Sequence, residues 1–211
     1  MKKKLAIIGA GELGNQIAHL TDQNDEHEVY GFFDDILSVG SIVGKHKVVG
    51  STKEIISFFD SKLFDCLIIG IGYHHMESRK AFFDWFSERI PFATIIHATC
   101  FVDPTAKIAS GVVLYPGCII DKNAVIEDNV LLNLGVIVSH DSHIASHSFF
   151  APRVTVAGFT HIGECCNIGV STTIIDNISI TDNVQTGGGS LVIKDISLAG
   201  LYVGQPVRLI R

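Results

Sequence analysis

The segment Ser139-His140-Asp141-Ser142-His143 carries the sharpest chemical signal in this 211-residue chain. An imidazole beside a carboxylate is a general base with an acidic partner, suited to taking a proton from an amine or a hydroxyl. On an ideal strand neighbouring side chains point to opposite sides, so this pair requires a corner or a bulge. The competing reading makes His140 and His143 solvated corner residues. His147 and His161 are weaker candidates, expected to face outward or to sit at corners. His74-His75 follow a strand-end glycine and either touch a ligand or cap a helix start. His97 lies in a linker and receives no role.

A second set of residues reads as a binding site. The apolar run Leu5 to Ile8 ends in Gly9-Ala10-Gly11-Glu12-Leu13-Gly14, the run Val29 to Phe33 ends in Asp34-Asp35, and the run Phe64 to Gly70 ends in Ile71-Gly72-Tyr73. A glycine loop between strand and helix presents backbone amides to a ligand. Asp34 follows Gly14 by twenty residues, the spacing of a ribose-binding acid. Adjacent carboxylates repel and need donors, which ribose hydroxyls or a base N–H would supply. The glycines could instead merely permit close helix–strand packing.

Two kinds of element must position these residues. Up to Ala98, apolar runs alternate with helix-like stretches, which implies a parallel α/β sheet of Rossmann type. That unit is half of a doubly wound fold, large enough for a mononucleotide and short for NAD. From Val102 to Val192 every sixth residue is apolar, Thr186 alone excepted. A period of six fits no amphipathic helix and marks a parallel β-helix of triangular coils, each inward residue stacking on the one three hexads later. Ala109-Ser110-Gly111, Asp121-Lys122-Asn123, Gly163-Glu164 and Gly169 suit corners with positive φ. The expected domains are therefore 1–98 and 99–211, the second ending in a short tail.

The net charge of −6 excludes a general attraction to nucleic acid. The apolar run after Met1-Lys2-Lys3-Lys4 stops at Gly9, too soon for a signal peptide or a membrane span. Five cysteines without a CxxC read as reduced thiols, so a cytoplasmic protein is expected. No His, Cys and carboxylate set has zinc-ligand spacing, and no metal is expected. Gly158, after the inward Val156, and Gly187-Gly188-Gly189 either approach a ligand or relieve crowding at a coil edge.

These motifs, with the closing Val203-Gly204-Gln205-Pro206, resemble the hexapeptide-repeat acyltransferases of the sialic acid O-acetyltransferase (NeuD) and bacillosamine-pathway N-acetyltransferase (PglD) group over essentially the whole chain. The resemblance implies a nucleotide-linked sugar in the first domain, acetyl-CoA along a left-handed β-helix, and homotrimers with active sites between neighbouring helices. His140 then matches the catalytic base and Asp141 its acidic partner. Gly11, Glu12 and Leu13 match the loop that meets the sugar nucleotide, Asp34 and Asp35 the strand end at its base or ribose, and Gly72 the third contact. Gly158, Val170 and Gly188 match the backbone that meets coenzyme A. One departure is Phe149, where some members carry a histidine that touches acetyl-CoA; that contact is not transferred to His147.

The expected function is N-acetylation of a nucleotide-linked 4-amino-4,6-dideoxy sugar for surface glycan or O-antigen synthesis. The base (UDP, dTDP or GDP) and the sugar epimer stay open. O-acetylation of a sugar such as sialic acid, an NAD-dependent oxidoreductase and a non-catalytic scaffold are the alternatives. Flat, partly apolar β-helix faces favour closed symmetric association, which also points to a trimer.

Overall fold

Leu5, Ala6, Ile7 and Ile8 are fully buried, as four successive apolar residues must be in a central parallel strand covered on both faces. The computed structural model describes residues 1–211 and divides them into two units, Met1–Ile95 and Ile96–Arg211. The first runs β1 (Lys3–Ile8), α1 (Glu12–Asp22), β2 (His27–Phe33), β3 (Ile42–Val43), β4 (His46–Gly50), α2 (Ile55–Asp60), β5 (Cys66–Ile69) and α3 (Met76–Ser87). The sheet order is β3-β4-β2-β1-β5. β1 pairs in parallel with β2 on one side and β5 on the other. The chain thus changes direction along the sheet between β1 and β5, and that switch point is where open α/β sheets bind ligands.

Glycines let three segments meet there. A Cβ on Gly14 would overlap the Gly9 carbonyl oxygen, and one on Gly70 would lie 2.7 Å from Gly14 Cα. Gly14 and Gly70 are therefore packing residues. Gly11 and Gly72 differ, since a Cβ on either would have nothing within 4 Å.

The second unit is a left-handed parallel β-helix. Two-residue strands repeat every six residues on three faces. Face 1 runs from Phe101–Val102 to Leu191–Val192, face 2 from Lys107–Ile108 to Ser179–Ile180, and face 3 from Val113–Leu114 to Val184–Thr186. Each strand pairs with the one eighteen residues later, as in Ile120 with Val138 and Val138 with Val156. Except at the half-buried Val102 and Ile108, the six-residue column is fully inside. Thr186 is buried as well. Its hydroxyl accepts from the Gly169 N–H at 2.8 Å and bonds the Thr172 hydroxyl at 3.0 Å, so the polar exception is satisfied.

Every corner from Gly111 to Gly189 is made by one residue of positive φ, again at a period of six. Glycine and asparagine hold many of these positions, but Asp141, His147, Arg153, Phe159, Cys165 and Ser171 hold the others. Gly163 and Gly169 are not among them, contrary to the sequence expectation; the left-handed residues at those corners are Cys165 and Ser171. Gly163 and Gly169 are small because a Cβ on them would strike the next coil at Asp182 and Thr186. No helix is long and apolar enough to cross a membrane.

Candidate active site

Asp141 adopts φ 56°, and this left-handed turn supplies the bend that the sequence required between His140 and its neighbour. His140 Nδ1 and Asp141 Oδ2 are 3.0 Å apart. An ionised carboxylate can only accept, so Nδ1 carries the proton and Nε2 keeps its lone pair. The Asn123 amide donates to Asp141 Oδ1 at 2.9 Å. That bond, then the one from His140, holds the Asp141 carboxyl below its ordinary range. On the adjacent coil, a Cβ on Gly158 would meet His140 Cε1 at 2.7 Å and Nε2 at 2.8 Å, so the imidazole lies directly over a bare α-carbon. Phe159 presents its ring at 85° to the imidazole, with centroids 5.1 Å apart. The result is a half-exposed imidazole seated on three sides.

The other histidines separate clearly. His143 points outward on face 2, with Nε2 2.7 Å from Glu127 Oε1 and its ring stacked on His161, Nδ1 to Nδ1 at 2.9 Å. Glu127 also accepts from the Ser146 N–H and hydroxyl. His147 sits at a corner, one of its two expected places, and is buried there, with Nδ1 3.1 Å from Asn129 Nδ2. His97 bonds Thr99 within its own loop. No group of three or more His, Cys, Asp or Glu is arranged to hold a metal ion. Cys166 points inward, and burial pushes its thiol up to about 12.

In the first unit a pocket of about 250 Å³ opens at the carboxyl ends of the strands, lined by Gly9, Asp34, Asp35, Ile36, His75 and Phe82 among others. A larger apolar groove past Trp85 shares Thr52, Ser78 and Phe82 with it. The donors that the two aspartates need come from the chain itself, which corrects the sequence argument. Asp34 accepts from the Ala10, Ile36 and Leu37 amides, and Asp35 from the Thr52 N–H and hydroxyl. Burial raises the Asp34 pKa, but the three amides outweigh it and the net shift is downward. No side chain caps α1 at Gly11, and the space beside that α-carbon is open. Glu12 next to it is exposed and Leu13 half-buried. His75 stands at the start of α3 without a side-chain cap bond. Buried Arg79 donates from Nη1 to the Ile71 carbonyl at 2.7 Å and holds the Gly72 loop.

The candidate coenzyme residues do not cluster within one chain. Gly158 shares the corner between faces 1 and 2 with His140. Val170 and Gly188 occupy the corner between faces 3 and 1, where a Cβ on Gly188 would lie 3.0 Å from Val170 Cγ1.

Residues 4–86 match the family described as the PglD N-terminal domain. The first unit is similar to that family along most of its length. Over both units the chain is similar to the acetyltransferase domain of PglB from Neisseria gonorrhoeae, with 26% identity, 99% of this chain and 100% of that one covered, and a TM-score of 0.91. PerB from Caulobacter crescentus, solved with CoA and GDP-perosamine, shares the fold at 22% identity and a TM-score of 0.89 over 99% and 97% of the two chains. A curated UDP-3-O-acylglucosamine N-acyltransferase from Bordetella pertussis is 41% identical over 51 residues, 24% of this chain and 14% of that protein.

In the second unit, sequence reading missed Asn123, Glu127 and Phe159; in the first, Thr52 and Arg79 went unnoticed. Asn123 and Phe159 lie one coil before and after Asp141, so the eighteen-residue repeat itself contained the signal.

Proposed function

We propose that this protein is an acetyl-CoA-dependent N-acetyltransferase acting on a nucleotide-linked 4-amino-4,6-dideoxy sugar. The observation that carries the reading is the His140–Asp141 pair, with Nε2 left free on an exposed β-helix corner. The PglB acetyltransferase domain, similar along its full length, has also been solved with acetyl coenzyme A. The amine attacks the thioester carbonyl carbon, His140 Nε2 takes a proton from the nitrogen, and the C–N bond forms. As the intermediate collapses the C–S bond breaks, and the imidazolium returns that proton to the leaving thiolate. Backbone N–H groups stabilise the oxyanion.

The first domain holds the sugar nucleotide at the β1–β5 crevice, with Gly11 and Gly72 as its open backbone and Leu13 beside them. Glu12 in the first turn of α1 suits sugar hydroxyls or an amine better than phosphate, because its charge opposes an anion. Asp34 and Asp35 shape the pocket wall. Saturation of Asp34 by backbone amides weighs against a ribose contact of the NAD type. The bare backbone at Gly188 beside Val170 fits an extended pantetheine arm, and a homotrimer would bring that corner of one chain to the His140 corner of the next. A cytoplasmic location suits the free thiols and the acetyl-CoA supply, and the product would feed surface glycan or O-antigen assembly.

The test is thiol release from acetyl-CoA with UDP-, dTDP- and GDP-linked 4-amino sugars, with free sialic acid as the hydroxyl acceptor. His140→Ala should lower kcat by ~10²–10⁴ while both substrates still bind. Turnover of the variant near the parent rate would remove His140 as the base. Acetylation of sialic acid alone would replace N- by O-transfer, and light scattering that shows only a monomer would remove the shared site.

A further inference from the structure

The corner between faces 1 and 2 carries a ladder of polar side chains that leads to the imidazole. Thr105 donates its hydroxyl to Asp103 Oδ1 at 2.6 Å and accepts from the Asn123 N–H at 2.8 Å. Asn123, one coil later, donates its amide to Asp141 Oδ1 at 2.9 Å. Asp141, one coil later again, accepts from His140 through Oδ2. Asn123 and Asp141 both adopt φ 56°, so the two side chains leave their corners in the same direction.

From this geometry we infer that Asn123 is a positioning residue for the base: it clamps Asp141 so that the second carboxylate oxygen fixes the His140 tautomer and ring plane. This rests on the proposed reaction for its kinetic effect, but not for its structural one. The Asp141 side chain is about one third exposed and the His140 side chain about one half. Packing against Gly158 and Phe159 seats part of the ring only, so hydrogen bonds must fix the carboxylate and the ring plane. Without the Asn123 amide, the carboxylate loses its donor at Oδ1 and rotates about its terminal torsion, which is broad and soft. His140 Nδ1 then loses a fixed acceptor, and the Nε2–H tautomer, which cannot act as a base toward the amine, becomes accessible.

Asn123→Gly deletes the amide without straining the corner, since Gly111, Gly117 and Gly135 already serve at equivalent turns. Two measurements on the full-length protein test the role. In ¹⁵N-histidine NMR without substrates, wild-type His140 should be the Nδ1–H tautomer and the variant a mixture. In steady-state assays, kcat should fall about tenfold, with KM for both substrates within about twofold. Asn123→Gly in an Asp141→Asn background should cost less than about twofold, because a group acting through a partner loses its effect when the partner is altered.

An unchanged tautomer and kcat, or equal losses in both backgrounds, would overturn the inference. Absence of acetyl transfer by the wild type would instead sink the proposed reaction, and the tautomer measurement would still decide on Asn123.

Discussion

The His140 imidazole rests on the α-carbon of Gly158, at a distance that leaves no room for a methyl group. Gly158 is not a left-handed residue, so alanine is conformationally acceptable there and only the side chain intrudes. Gly158→Ala should therefore fold normally but push the ring off its seat. A displacement near 1 Å at a reacting group can cost ~10² in rate. The expected result is a kcat loss of about that size with an unchanged melting temperature. Wild-type turnover in the variant would show that the ring is not held by this contact.

Glu127 joins the next corner to face 2 through His143 and Ser146. Burial raises its pKa, but the bonds from His143 and Ser146 outweigh it, and the folded value lies below the ordinary one. A depressed carboxylate contributes stability that is complete above the unfolded pKa of about 4.3 and is lost as pH falls through the folded value. Melting temperature measured from pH 6 to pH 3 should therefore drop more steeply for the wild type than for Glu127→Gln. Parallel curves would mean that the carboxylate has no net effect.

What could be read in advance follows from which interactions are periodic. The inward column from Leu114 to Val192 obeys one repeat, and burial follows it residue by residue. The left-handed corners were legible where Gly or Asn occupies them and at Asp141, where the pairing with His140 demanded a bend. Phe159 and Cys165 adopt the same turn because the coil enforces it against their intrinsic preference. The His140–Asp141 pair was visible as neighbours in sequence, whereas its clamp lay a full coil away. In the first domain, Asp34 bonds the local Ile36 and Leu37 amides, but its third donor, Ala10, and the donor to Asp35, Thr52, lie at distances in sequence that no local spacing announces.

The glycine loop contains an open glycine, Gly11, and a packing glycine, Gly14, and a pair of variants tests whether the open one serves the proposed ligand. Alanine is better than glycine inside a helix by ~1 kcal/mol. At Gly14 that gain meets a Cβ overlapping a backbone carbonyl, and such overpacking costs about 1–3 kcal/mol. Gly14→Ala should destabilise the domain on balance. Gly11→Ala has open space and should change stability by no more than about 1 kcal/mol. On the proposed function its methyl group would occupy the ligand side of the loop, so KM for the sugar nucleotide should rise. Equal effects of the two variants in denaturation and kinetics would contradict this division.

Arg153 adopts φ 61° on the corner that also carries Val170 and Gly188, and it is exposed. A left-handed conformation costs a residue of this kind roughly 1–2 kcal/mol, while asparagine tolerates it. The coil imposes the same turn at every corner, so the strain by itself gives Arg153 no role. On the proposed function, a guanidinium at this corner would pair with the phosphates of coenzyme A. Arg153→Asn should accordingly raise the melting temperature by roughly 2–4 °C for each kcal/mol recovered. The same change should weaken acetyl-CoA binding about tenfold or more, as loss of a charge-assisted contact does. Thermal melts and calorimetric titration with acetyl-CoA read the two effects on one preparation. A variant that melts higher and binds acetyl-CoA as tightly as the parent would show that the strain at Arg153 serves no ligand.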